Sequence, residues 1–411
     1  MKTALVIGGG AVGLATALQL QSRGLAVTVI DPDARPLPAS WGNAGHIAVE
    51  QVAPLASLGS LLGAPRRLAS PGGALSLPLR DVAVWLPFGL ELIKAARPSR
   101  FAAGRKALTA LHLEAMPAWR RLTSRLGRPD LLRENGHFIV WETPATAAAG
   151  RRACLDACPP TVSYRDSNPS ELEIISALIG RRPAGVMRCD GTAQVADVTE
   201  LMMALRTAFR AAGGRVRQSK AIALAAPLNR GVVLEDGTAE GAELVVVTAG
   251  VGSAPLMASL GNRAPLIAER GYHLQASDHH WPEPLPSVTF EDRSLFVTPF
   301  RSGVRASSFL EFSRPDRPAD PRKWRGLRRH LAELNLPLSG PLEEWMGSRP
   351  TLPDYLPAIG VSRRTPRLLY AFGHQHLGMT LAPLTGELVA DLALGRAPAV
   401  DLAPFDLSRF G

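Results

Sequence analysis

Thr3-Ala-Leu-Val-Ile7, Gly8-Gly9-Gly10-Ala11-Val12-Gly13, the run from Leu14 to Arg23, Gly24, and Leu25-Ala-Val-Thr-Val-Ile30-Asp31 follow one another without interruption. The first and last runs are short and apolar, as buried strands are, and the middle one is helical and stops at a glycine. Strand, glycines, helix and strand in that order place Gly8, Gly10 and Gly13 at the three glycines of G-x-G-x-x-G. The first glycine allows a tight turn, the second lets a pyrophosphate approach the backbone, and the third lets helix and strand pack closely. Ala11 and Val12 open the helix, where free N–H groups and the positive dipole end meet phosphates. Asp31 closes the second strand 23 residues after Gly8. A carboxylate there accepts hydrogen bonds from an unphosphorylated ribose, which favours NAD or FAD over NADP.

Outward from this start, the 411 residues suffice for two folded domains, and 46% hydrophobic content excludes a disordered or fibrous chain. The net charge of +10 comes from 46 Lys+Arg against 36 Asp+Glu; five are lysine and 41 arginine, scattered along the whole length. Scatter speaks against a nucleic-acid face, which concentrates its charge on one element. Cys154, Cys158 and Cys189 are too few for a disulfide framework, so a reducing, cytoplasmic setting is expected. They also lack partners at ligand spacing, and no metal is expected. The apolar start lacks a small-residue cleavage pattern and reads as structure. No uninterrupted apolar run reaches the ~18 residues of a membrane span.

The spacing Gly13-x-x-x-Ala17 leading to Gly24 resembles the extended FAD fingerprint of glutathione-reductase-like flavoproteins. Three further segments resemble one branch of them, the D-amino-acid oxidase and dehydrogenase family that also holds glycine and sarcosine oxidases. Ser40-Trp-Gly-Asn43-Ala44-Gly45-His46-Ile47 is similar to the S-x-x-N-A-G-x-I loop of bacterial D-amino-acid dehydrogenases. Leu244-Val-Val-Val-Thr248-Ala249-Gly250 is similar to the strand and glycine that close on the FAD pyrophosphate. Trp345-Met-Gly347-Ser-Arg349-Pro350 through Asp354, with Gly373-His374-Gln-His-Leu-Gly378-Met379 through Gly386, resembles the W-x-G-x-R-P-x-x-P-D and G-H-x-x-x-G-x-x-x-A-P-x-x-G blocks. Two departures are visible: Gln375 stands where relatives more often carry glycine, and Asp31 where many carry Glu.

The resemblance implies an α/β fold: a Rossmann-like FAD-binding domain of the glutathione-reductase type, interleaved with an α+β substrate domain carrying a mixed or antiparallel sheet. Residues 1–50, 190–265 and 341–411 are assigned to the first, and 51–189 and 266–340 to the second. It implies non-covalent FAD, since no cysteine lies in the C-terminal half. Ser40, Asn43, Ala44 and Gly45 are expected along the flavin, Ala249 and Gly250 at its pyrophosphate. Gly373, His374, Gly378 and Met379 are expected to turn backbone N–H groups toward the pyrimidine edge of the ring.

Arg349 is the residue implied to anchor a substrate carboxylate, because a fixed guanidinium matches it as a planar fork. Tyr272, in Arg270-Gly-Tyr272-His-Leu274, is a candidate pocket wall or lid, or equally a strand tyrosine; His374 is a candidate at the chemistry, or a structural histidine of its turn. The implied reaction is oxidation of a D-amino acid, or of a cyclic imino acid such as D-proline or D-hydroxyproline, by hydride transfer from Cα to the flavin. Electrons would pass to a quinone or another respiratory carrier in preference to O2. Sarcosine or glycine oxidase chemistry, and a flavin-bearing subunit of a hetero-oligomer, stay open.

Strands are expected at 135–141, 215–224, 231–234 and 244–247, a helix at 198–212, and a hairpin turn at Asp236-Gly237. The stretch from Val82 to Arg100 mixes large apolar residues with a basic end. It reads as a core helix pair, or as a peripheral contact with a membrane.

Overall fold

The computed structural model describes residues 2–32, 38–59, 63, 74–225, 227 and 231–411. Part of the loose Leu/Gly/Pro-rich stretch between Val52 and Arg80 therefore lies outside the described residues. Two large sheets organise the rest. The first has the order β10-β2-β1-β14-β21-β20, formed by β1 (Thr3–Ile7), β2 (Ala26–Asp31), β10 (Arg215–Gln218), β14 (Leu244–Val247), β20 (Ala358–Val361) and β21 (Leu368–Phe372). All pair in parallel except β20.

The second sheet runs β19-β15-β18-β17-β16-β6-β8-β7, with β4 (Leu75–Ser76) added on β18. Its strands are β6 (His137–Trp141), β7 (Ser163–Asp166), β8 (Gly185–Asp190), β15 (Ile267–His279), β16 (Ser287–Phe290), β17 (Leu295–Phe300), β18 (Gly303–Ser313) and β19 (Leu338–Thr351). This sheet is mixed: β16 meets β6 in parallel, while β15 lies antiparallel between β18 and β19. Two three-stranded sheets complete the strands. One joins β3 (His46–Ile47), β9 (Ala193–Val195) and β5 (Leu132–Arg133), and the other β11 (Ala221–Leu224), β12 (Val232–Leu234) and β13 (Ala239–Glu240).

The helices described in full are α1 (Ala11–Ser22), α2 (Val82–Ala95), α3 (Pro98–Arg125), α4 (Pro144–Asp156), α5 (Pro169–Ile179), α6 (Val198–Ala211), α7 (Ser253–Ala258), α8 (Pro321–Glu333) and α9 (Gly378–Ala393). The core around α1 gathers β1, β2, α3, α6 and α9. A second core fills the space under the mixed sheet with α5 and α8. In α1 even Thr16 is buried, its hydroxyl donating to Val12 O at 2.8 Å. That burial on every side explains why no amphipathic stripe is legible in this helix.

Three expectations about elements and boundaries are corrected. The strand expected over 215–224 is two: β10 joins the parallel sheet, and after Ser219-Lys220 the chain turns into β11 of a separate small sheet. Asp236-Gly237 does make a hairpin, but its partner strand is β13, while β14 enters the parallel sheet. Finally, the boundary expected at 341 falls inside β19. That strand stays paired with β15 to Thr351, so Arg349 belongs to the mixed sheet.

Candidate active site

The turn after β1 is built for close approach. Gly8 has φ +107°, a region that L side chains rarely adopt. A Cβ on Gly13 would sit 1.9 Å from Gly8 O, so only glycine lets α1 pack on the turn. Thr248, at the end of β14, donates its hydroxyl to Ile7 O at 2.9 Å and fastens the neighbouring strand to the same turn. Asp31 Oδ2 accepts the Gly9 N–H at 2.5 Å, and Ser40 Oγ accepts the Ala11 N–H at 3.1 Å. The N–H groups of Val12 and Gly13 find no acceptor among the described residues. This is a helix N-terminus with donors in hand, next to a buried carboxylate, and it fits a dinucleotide pyrophosphate and ribose. Ala249 and Gly250 follow Thr248 directly, Gly250 with φ +57°.

The loop from Ser40 to Ile47 leaves this turn and is clamped to the mixed sheet. Asn43 Oδ1 accepts the Gly45 N–H at 2.8 Å, closing a local turn. Thr298 Oγ1 donates to Ala44 O at 2.8 Å. Arg305, buried and with its pKa pushed down to about 10 by that burial, donates to the carbonyls of Trp41 and Asn43. His273 Nδ1 lies 3.1 Å from Gly42 O, and its ring stacks on Trp345 at 4.9 Å. A Cβ on Gly42 would enter the Trp345 ring at 2.3 Å.

Arg349 projects from β19 opposite Glu269 of β15. Its Nη1 donates to Glu269 Oε1 at 3.1 Å and to Phe309 O at 3.5 Å, while Nε and Nη2 have no protein partner among the described residues. Glu269 is fully buried and also accepts from the hydroxyls of Thr351, at 3.2 Å, and Tyr355, at 3.1 Å. One edge of the guanidinium is thus held by a fixed carboxylate network, and the rest of the fork is open at 28% side-chain exposure. Gly271 keeps the space beside it clear: a Cβ there would lie 2.4 Å from Nη2.

Two residues beyond Arg349, Thr351 pairs with His374, which brings the arginine strand to the turn before α9. No side chain caps this helix, and its first turn has no acidic residue. Gly378 and Met379 open it, and Gly373 has φ +78°. His374 is buried; its Nε2 lies 3.1 Å from Thr385 Oγ1, and burial pushes its pKa down to about 3, so the ring is neutral. Burial first, and then the Arg349 cation, hold His376 down to about 3 as well. Gln375, with φ +50°, donates to Tyr355 O and keeps its own Oε1 buried without a partner among the described residues.

The structure does not bring Tyr272 to this set. Successive residues of a strand face opposite sides, and Glu269, Gly271 and His273 share the Arg349 face, so Arg270 and Tyr272 point away from it. Tyr272 is 1% exposed, packs edge-on against Trp324 of α8, and is held by Arg270 Nη2 and the Asp320 N–H, both at 3.1 Å. Desolvation raises its pKa to about 12. It is a core residue of the mixed sheet and no lid over Arg349. A cleft of about 1450 Å³ also lies on that side, between Leu77, Arg80, Phe309, Glu311 and Lys323, and none of the candidate cofactor or substrate residues lines it.

Some residues escaped the sequence reading. Glu269 had no signal beyond strand composition, Gly271 lay unremarked inside the quoted Arg270–Leu274 stretch, and Arg305 was one arginine among 41. A further group was legible only in part. His46 Nε2 lies 2.8 Å from Glu50 Oε1, one helical-type step apart in sequence, but His137 joins them from β6.

Comparison with known proteins agrees with this architecture. The family described as FAD dependent oxidoreductase (DAO) matches residues 3–392. A D-amino-acid oxidase of Bradyrhizobium diazoefficiens is 31% identical over 418 residues, covering 98% of both chains. A D-amino acid dehydrogenase 2 of Pseudomonas aeruginosa is 30% identical over 413 residues, covering 96% of both. Among solved structures, L-proline dehydrogenase from P. horikoshii superposes with a TM-score of 0.72 at 17% identity, covering 100% of this chain and 97% of the other. Glycine oxidase from Geobacillus kaustophilus gives 0.70 at 23% identity, covering 99% and 98%. Glycine turn, clamped loop, arginine strand and uncapped helix thus lie within a match that runs nearly end to end, and the chain belongs to the DAO family of FAD-dependent oxidoreductases.

Proposed function

We propose that this protein oxidises D-amino acids as a dehydrogenase, with cyclic imino acids such as D-proline and D-hydroxyproline to be tried beside linear ones. The observation that carries the reading is Arg349, a guanidinium braced by Glu269 on one edge and open on the other, two residues from the turn that leads into α9. Such a fork takes a carboxylate in two parallel charge-assisted hydrogen bonds. The names of both full-length relatives support a D-amino acid as substrate.

FAD, when bound, supplies the two-electron acceptor for the hydride that leaves the substrate Cα. The protein's part is placement. Arg349 fixes the carboxylate, and Gly271 leaves room for the guanidinium itself. The uncapped start of α9, with Gly378 and Met379, offers N–H dipoles to developing negative charge. His374, neutral and tied to Thr385, holds that turn and carries no proton to donate at neutral pH. No general base is required if the substrate binds with its amine deprotonated. FAD is held without a covalent bond: no cysteine occurs after Cys189, so no thiol tether is available in the C-terminal blocks. A flavin mass added to the denatured chain in mass spectrometry would contradict this.

A quinone or another respiratory carrier is the proposed acceptor, reached at the membrane surface. Supporting this, Leu79, Val82, Leu86, Leu90 and Ile93 recur at helical spacing along α2 and its approach, and all are exposed, Leu79 at 85%. Exposed Arg80, Lys94, Arg97 and Arg100 fringe them. Apolar stripe and basic fringe together suit an anionic bilayer. None of the described helices is long and apolar enough to cross a membrane.

The deciding experiment is anaerobic bleaching of the visible flavin band by a panel of D- and L-amino acids, D-proline, D-hydroxyproline and N-methylglycine. Bleaching confined to D-compounds, with re-oxidation by quinone faster than by air, is expected. Fast re-oxidation by air would give the oxidase reading, which the name of the Bradyrhizobium relative favours. A band that survives every compound would refute the amino-acid reading for the isolated chain.

A further inference from the structure

His46, Glu50 and His137 place two imidazoles and a carboxylate so that one ligand atom from each lies within 4.8 Å of the others. We propose that these three residues bind one first-row divalent metal ion, with Zn²⁺ as its probe. None of them anchors the substrate carboxylate in the reading above, and the proposal stands or falls without it.

The scaffold around the three is fixed from several directions. His46 lies in β3, paired with Gln194 of β9, and His137 opens β6, paired with Cys189 of β8. The segment between His46 and Glu50 is pinned at both sides: the Ala48 N–H donates to Thr380 Oγ1 at 2.9 Å, and Thr161 Oγ1 donates to Val49 O at 2.7 Å. Orientation suits ligation too. His137 Nδ1 is engaged by Thr192 Oγ1 at 3.0 Å, which leaves Nε2 for a metal, the arrangement in which an outer hydrogen bond fixes a ligating ring. The Phe296 ring lies 4.8 Å from that of His46 and walls off the site.

A second observation points to a missing partner. Glu50 Oε1 is engaged by His46, but Oε2 is buried with no hydrogen-bond partner among the described residues. Glu50 has only 10% side-chain exposure, and a half-satisfied buried carboxylate is costly unless something fills the gap. A cation satisfies both oxygens at once and takes the place of the hydrogen between His46 and Glu50. Bonds of about 2.0–2.2 Å to imidazole and carboxylate require only modest side-chain movement from the spacing present. Two nitrogen donors select against Ca²⁺ and Mg²⁺, which prefer all-oxygen sites, and favour Zn²⁺ or its first-row neighbours.

The test uses the full-length, flavin-loaded protein, stripped with EDTA and dialysed. It is then titrated with Zn²⁺ against a chromophoric chelator, with metal content after desalting read by mass spectrometry. One Zn²⁺ per chain is expected, with at least tenfold weaker retention in Glu50→Gln and in His137→Asn at unchanged flavin content and circular dichroism. His46→Gln substitutes if His137→Asn does not fold. X-ray absorption of the zinc-loaded protein should show nitrogen and oxygen neighbours including two imidazoles. Wild-type protein that retains no more zinc than Glu50→Gln would overturn the proposal, as would full retention in both variants or a first shell containing sulfur.

Discussion

Replacing Arg349 by lysine separates the geometry of the proposed anion clamp from its charge. The guanidinium donates through Nη1 to Glu269, so an alanine would leave that fully buried carboxylate without its cation. Breaking a buried pair from one side costs about 3–5 kcal/mol, and a destabilised protein would be hard to tell from a catalytically impaired one. Lysine keeps a cation beside Glu269, whose other partners, Thr351 and Tyr355, are untouched. What lysine lacks is the second arm of the fork. Losing one charge-assisted hydrogen bond to a substrate carboxylate is worth about 1.5–3 kcal/mol. At ~1.4 kcal/mol per decade, kcat/KM should fall roughly tenfold to a hundredfold or somewhat more. The assay is steady-state turnover of whichever amino acid bleaches the flavin, with an artificial acceptor, beside a thermal melt and the flavin content of each preparation. The expected signature is a raised KM, a melting temperature within a few degrees of wild type and full flavin occupancy. Unchanged kinetics would remove Arg349 from the substrate site, and a collapse in melting temperature would make its role structural.

Gly271→Ala should imitate part of that defect, since the new methyl meets the flexible end of Arg349 at 2.4 Å and displaces the guanidinium with little strain on the backbone; a KM equal to wild type would contradict the crowding argument. Acid should destabilise the protein through its buried neutral histidines. His374 and His137 each have a folded pKa near 3 against an ordinary 6.5, so the unfolded chain binds protons the native one refuses. Their contribution is complete above pH 6.5 and drains as pH falls toward 3, at about 1 kcal/mol per pH unit per histidine in mid-range. His374→Gln should flatten the fall of melting temperature between pH 6 and 4, and an unaltered slope would show that His374 does not titrate on unfolding. Leu86→Glu with Leu90→Glu should abolish co-sedimentation with anionic vesicles at low salt while leaving the melting temperature close to wild type; failure of the wild type to sediment would end the membrane proposal.

The βαβ turn was legible because its signals are local. Gly8, Gly10, Gly13 and Asp31 lie within one βαβ unit, and their places in its turn follow from chain order alone. Arg349 was legible for another reason, as part of a block resembling a known family. Tyr272 shows where such reading stops: the side of the sheet it faces depends on the register of β15 against β19, and a shift of one residue exchanges the faces. Glu269, the brace of Arg349, has the same difficulty, being 80 residues away in the chain. The group of His46, Glu50 and His137 needed β6 to be laid against β8, and β3 against β9, before it existed at all.

The bridge between Thr351 and His374 gives the site a ruler. Between Arg349 and the turn that enters α9 there are two peptide units of an extended strand and one cross-strand contact, with no flexible side chain in the path. Under the role proposed for Arg349, substitutions around the fork therefore retune which side chains are accepted without moving the guanidinium. Length changes are another matter: one residue inserted between Arg349 and Thr351 would turn the fork to the Tyr272 side of the sheet. A library meant to broaden substrate range should vary residue identity in this segment and hold its length constant.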